Sequence, residues 1–111
     1  MKQHWTVIAL IYSGRPDPRW DLSEEQRDHF LSMWRQASNS ETEVTIPSVP
    51  GYKGIRMLSP GKQFLIYDGT MTMIENQFRI SKKDGQRSIE KFLLNTAPEG
   101  IATILKQSGT F

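Results

Sequence analysis

The sequence predicts an α+β domain of two layers, a mostly antiparallel sheet of about four strands with helices on one face. Three observations carry this. The run Trp5-Thr6-Val7-Ile8-Ala9-Leu10-Ile11-Tyr12 is dense in β-branched and aromatic residues. Short alternating segments between Gly54 and Ile80 are separated by turn dipeptides. Two stretches, about 24–38 and 86–105, space their apolar residues at the helical period.

The opening strand has apolar residues on both alternating sets, Trp5, Val7, Ala9 and Ile11 on one and Ile8, Leu10 and Tyr12 on the other. That pattern places it in the interior of a sheet, with a partner subunit or the C-terminal helices over its second face. Ser13-Gly14-Arg15-Pro16-Asp17-Pro18-Arg19-Trp20 follows, a stiff loop in which each proline fixes its own φ and extends the residue before it. Ser23 and Gln26 then form a capping box, with Glu24 and Glu25 in the first turn where the helix dipole favours negative charge. Phe30, Met33, Trp34 and Ala37 make one apolar face.

Glu43 to Ile46 has strand composition, and Pro47 confines it to an edge. Gly54 to Leu58 and Gln63 to Tyr67 read as strands joined by a type II turn at Ser59-Pro60-Gly61-Lys62. Asp68-Gly69 is the strongest hairpin signal in the chain and returns it as a strand from Thr70 to Ile74, continuing irregularly through Phe78 and Ile80. After Asp84-Gly85, Ile89, Phe92 and Leu93 give a helical face from about Gln86 to Asn95. Thr96, Pro98 and Glu99 look like a second capping box opening a last helix with Ile101, Ile104 and Leu105 inside. Met71 and Met73, two apart on a strand, belong to the core.

A chain of 111 residues suits one domain over 1–111. With no cysteine, disulfides and thiolate chemistry are excluded. No stretch approaches the roughly 20 apolar residues of a membrane span. The opening apolar run is short and lacks a small-residue cleavage site, so a cytoplasmic protein is expected. The net charge of +2 is divided unevenly, −1 over residues 1–55 and +3 over 56–111.

Candidate chemistry is sparse. His4 and His29 fit no metal-ligand spacing, and the acidic series from Asp17 to Asp28 coincides with a helix start rather than a cation loop, so no metal and no cofactor are expected. There is no nucleophile elbow and no phosphate loop. Arg15 and Arg19, with Asp17 between them orienting a guanidinium, suit a phosphate or carboxylate; the plainer reading is a rigid connection from strand to helix. Gly51-Tyr52-Lys53-Gly54 adds Tyr52 to stack on a ligand and Lys53 to meet an anion, or is a turn. Arg79, Lys82, Lys83, Arg87 and Lys91 form a basic cluster, diluted by Asp84 and Glu90, with a charge balance lower than nucleic-acid binders usually show.

The sequence thus supports a small binding or accessory module that recognises a partner protein or an anionic small molecule through the Ser13–Trp20 loop, with Arg15, Asp17, Arg19, Tyr52 and Lys53 as ligand-binding residues. The alternatives are a small cofactor-free enzyme using dispersed polar residues near that loop, and a weak nucleic-acid binder using the basic cluster. A homodimer is compatible with the chain, and a membrane partner is not expected.

Overall fold

Backbone pairing turns the alternating segments into six strands rather than four. The computed structural model describes residues 4–110. In chain order these are β1 (Thr6–Ala9), β2 (Arg19–Asp21), α1 (Glu24–Gln36), β3 (Ile55–Ser59), β4 (Lys62–Tyr67), β5 (Thr70–Glu75), β6 (Phe78–Lys83), a single 3-10 turn (Gly85–Arg87), α2 (Ser88–Leu94) and α3 (Glu99–Gln107). The sheet is antiparallel throughout, in the order β2-β1-β3-β4-β5-β6. The two extra strands have clear causes. Arg19–Asp21, expected as loop and helix approach, pairs with β1 because Pro16 and Pro18 reverse the chain and the Ala9 amide bonds the Pro18 carbonyl. Phe78–Lys83 is separated from β5 by a two-residue turn in which Asn76 takes φ 55°.

Residues two apart share a face. One face is the row Trp20, Val7, Met57, Phe64, Met73 beside the row Ala9, Ile55, Ile66, Met71. These residues are buried and pack in one cluster with Phe30 and Trp34 of α1, Ile89, Leu93 and Leu94 of α2, and Leu105 of α3. Phe64 meets Phe30 and Trp34 edge-on at centroid distances of 5.1 and 5.2 Å, a favoured aromatic geometry. Ser23 and Gln26 form the expected capping box of α1. Asp68-Gly69 takes positive φ at both positions, 50° and 91°, as a two-residue turn with the twist of its strands requires.

Part of the second sheet face is covered by the chain itself rather than by the C-terminal helices, which pack on the first face. After α1, Ser38–Ser40 pairs with the end of β6 through Lys83 N–H to Ser38 O and Ser40 N–H to Ser81 O. The chain then turns onto the outer face, where Glu43 pairs with Arg79 and the Val44 amide bonds Thr72 Oγ1 at 2.8 Å. It rejoins the sheet beside β1, where the Lys53 amide bonds Leu10 O. This strap crosses the face that carries Ile8, which is buried outside the main core cluster. The strand expected at Glu43–Ile46 is absent because the Val44 amide is given to a side chain and Pro47 has none.

The C-terminal helices are shifted from expectation. Gln86 and Arg87 have left-handed backbones, which delays α2 until Ser88. The N-cap of α3 is Pro98, and Thr96 is used differently: its hydroxyl accepts from Trp20 Nε1 and donates to Leu93 O. Among the described residues no helix is long and apolar enough to cross a membrane.

Candidate functional site

One end of the sheet gathers most of the segments that stand out in the sequence. Leu10 pairs with Gly54, Tyr67 with Thr70 and Thr70 with Lys83, so these residues form the last row across β1, β3, β4, β5 and β6. The Ser13–Trp20 loop, Gly51–Gly54, the Asp68-Gly69 turn and the Asp84–Glu90 segment all leave the sheet at this row. Gly54 makes the arrangement possible: its φ is 114°, and a Cβ there would lie 3.0 Å from Ile66 O and from the Tyr67 Cβ.

Carboxylates hold these segments together. Asp17, half-buried between its two prolines, accepts from the Ile11 and Tyr12 amides at 2.9 and 2.7 Å. Asp84 is buried and accepts from the Ile89 and Glu90 amides at 2.8 and 2.9 Å, capping α2, while its own amide bonds Gly69 O. Glu90 is fully buried. Arg87 grips it with both Nε and Nη2 at 3.1 Å, the Asp68 amide donates to it at 3.0 Å, and Tyr52 donates its phenol proton to it. The two successive left-handed residues, Gln86 at φ 57° and Arg87 at φ 58°, are uncommon without glycine and aim the Arg87 fork at Glu90.

Burial and the bond to Glu90 push the Tyr52 phenol well above the usual tyrosine range, and the bond to Glu90 likewise holds the Arg87 proton more firmly. The folded chain therefore keeps the Tyr52 proton at a pH where the unfolded chain releases it, near 10. The stability Tyr52 contributes is complete below that pH and is lost as pH rises beyond it. In an alkaline absorbance titration, one of the three tyrosines is expected to ionise only as the fold is lost. Ionisation of all three while the circular dichroism stays native would contradict this.

The residues singled out in the sequence divide between two places. Arg15, Tyr52 and Lys53 sit at the loop end. The Arg15 guanidinium lies 3.8 Å from the centroid of the Tyr12 ring, and Lys53 Nζ donates to Ile11 O and Gly51 O. Among the described residues neither cation has a carboxylate within ion-pair distance. Asp17 is there too, but its contacts are backbone amides rather than a guanidinium. Arg19 lies on β2 and shares the outer sheet face with Arg56, on either side of Ile8.

The basic cluster is partly used internally. Lys82 donates to Trp34 O at 2.8 Å with its ammonium 5.0 Å over the Trp34 ring, Arg79 pairs with Glu43 at 3.7 Å and Arg87 with Glu90. Lys83 and Lys91 remain exposed. Beside this end, the end of α1, Lys83 and the start of α2 border an open groove of about 440 Å³ lined by Met33, Ala37, Asp84 and Ile89.

Glu90 and Asp84 carry the architecture of this end, yet in sequence they read as dilution of positive charge. One signal was present: Glu90 stands three and four residues before Leu93 and Leu94, inside the apolar stripe of α2. Among the described residues no group of three or more histidine, cysteine or acidic residues is placed to hold a metal ion. Comparison of the chain with protein-family models, with curated proteins and with solved structures returns no match.

Proposed function

We propose that this chain is a small binding module that takes an anionic group, a carboxylate or phosphate of a small molecule or of a partner protein, at the loop end of the sheet. Arg15 and Lys53 are its contact residues. Asp17 and Tyr52 are positioning residues, the first fixing the proline loop and the second tying Gly51–Gly54 to α2. The observation that carries this reading is the unequal use of charge: Asp17, Asp84 and Glu90 are spent on backbone amides, Tyr52 and Arg87, whereas Arg15 and Lys53 have no acidic partner among the described residues. A stiff loop presents Arg15 at low entropic cost, and stacking on Tyr12 leaves the edge of the guanidinium available for an oxygen pair.

Inorganic phosphate and citrate, titrated under heteronuclear NMR, are suitable probes. Saturable shifts are expected at Arg15, Lys53 and their neighbours. Arg15→Ala should weaken binding about tenfold, the scale of one charge-assisted hydrogen bond, and leave the melting temperature within a degree or two, since the side chain is exposed. Absence of saturable shifts at tens of millimolar of either anion, or equal binding by the variant, would overturn the assignment.

A further inference from the structure

The loop end of the sheet has an aromatic side as well as a cationic one. All three tyrosines of the chain stand there. Tyr52 is spent: its hydroxyl donates to the buried Glu90, and its ring packs toward Tyr67 at a centroid distance of 6.4 Å. Tyr12 is used differently. It is half-buried, and the Arg15 guanidinium lies 3.8 Å over its ring. This platform is fixed from two sides. Asp17, set between two prolines, accepts from the Ile11 and Tyr12 amides. Lys53 Nζ donates to Ile11 O, the carbonyl joined to the Tyr12 nitrogen.

A guanidinium stacked in this way has two surfaces left. Its edge carries N–H donors that lie in its plane. Its outer plane is flat, weakly hydrated and suited to a second ring. Arg15 is exposed, and among the described residues no ring other than Tyr12 lies against it, so that plane faces solvent. Lys53 keeps a third N–H beyond the two given to Ile11 O and Gly51 O. A stacking plane and two cations with no acidic partner among the described residues thus stand together.

We propose that the anion taken here is a phosphate carrying a planar ring, of the nucleoside monophosphate class. The base stacks on the outer plane of Arg15, making a third layer on Tyr12, and the phosphate takes the Arg15 edge and Lys53. Inorganic phosphate or a simple carboxylate uses only the second half of the site. Bases stack readily on aromatic rings and on arginine planes, and with little regard to which base it is. One stacking plane and two cations suit a single nucleotide rather than a strand. The proposal rests on the anion reading above, and its experiment separates the two.

Three probes share parts of the ligand. AMP has base and phosphate, ribose 5-phosphate lacks the base, and adenosine lacks the phosphate. In NMR titrations of the full chain, AMP is expected to bind about tenfold more tightly than either of the others. AMP, but not ribose 5-phosphate, should move the Arg15 side-chain protons upfield through the ring current of the base. Arg15→Lys keeps the charge and loses the plane. It should bring the ratio of AMP to ribose 5-phosphate affinity close to one, with the melting temperature within a degree or two because the side chain is exposed. Equal binding of AMP and ribose 5-phosphate by the wild type would overturn the ring assignment and leave the anion site standing. Adenosine binding as tightly as AMP, or no saturable binding by either phosphate, would overturn the anion reading and this proposal with it. A preference for AMP that survives Arg15→Lys, or that comes without the upfield shifts, would put the base elsewhere and overturn the assignment. A single-stranded hexanucleotide that binds about a hundredfold more tightly than AMP would assign the surface to a nucleic-acid strand instead.

Discussion

Trp20→Ala is expected to cost about 3–5 kcal/mol of folding stability, in the range of other buried large aromatics. Trp20 is 5% exposed and sits opposite Val7 in the core-facing row. Its indole N–H bonds Thr96 Oγ1 at 2.8 Å, so one side chain ties the short strand β2 to the connection between α2 and α3. Alanine leaves a cavity and strips a partner from a half-buried hydroxyl. Urea denaturation should show a large fall in midpoint with an unchanged slope. A loss under about 1 kcal/mol would mean that the site collapses around the smaller side chain. Trp20→Phe separates the two contributions: it keeps much of the volume but not the donor, and is expected to cost about 1–2 kcal/mol.

Local chemistry made much of this fold readable. The capping box at Ser23 and Gln26, the Asp68-Gly69 hairpin and the two-residue spacing of Met71 and Met73 each depend on residues close in sequence, and each appears where its chemistry places it. The elements that escaped depend on distant partners. Arg19–Asp21 is a strand only because β1 is there to receive it, and Phe78–Lys83 because β5 is. The second face of β1 needed a cover, and apolar alternation could say so without naming it; the strap is irregular, tied at its ends by backbone bonds to Ser81, Lys83 and Leu10 and between them by one hydroxyl and one exposed ion pair. The loop end shows the same division. Arg15, Tyr52 and Lys53 drew notice through nearby glycine and proline, whereas Asp84 and Glu90 act across segments far apart in the chain.

Glu90→Ala is expected to be as damaging, about 3 kcal/mol or more, through a different mechanism. The fully buried carboxylate accepts from three segments at once: Arg87 before α2, the Asp68 amide in the β4–β5 turn, and Tyr52 ahead of β3. Removing it leaves a half-buried phenol and a turn amide without an acceptor, and releases the fork that offsets two left-handed residues. Breaking one partner of a buried pair typically costs about 3–5 kcal/mol. Here solvent reaches Arg87, whose side chain is 42% exposed, so the lower end applies. Glu90→Gln distinguishes charge from shape. With its oxygen at the Oε1 position it still accepts from the Asp68 amide and Arg87 Nε, but its amide nitrogen replaces the Oε2 that accepts from Tyr52 and Arg87 Nη2, and about 1–2 kcal/mol is expected. A double-mutant cycle with Arg87→Ala should give a coupling of at least about 1 kcal/mol, because each single change strands the other group. Additive losses would show that Arg87 and Glu90 act independently. Denaturation midpoints for the four proteins decide between these results.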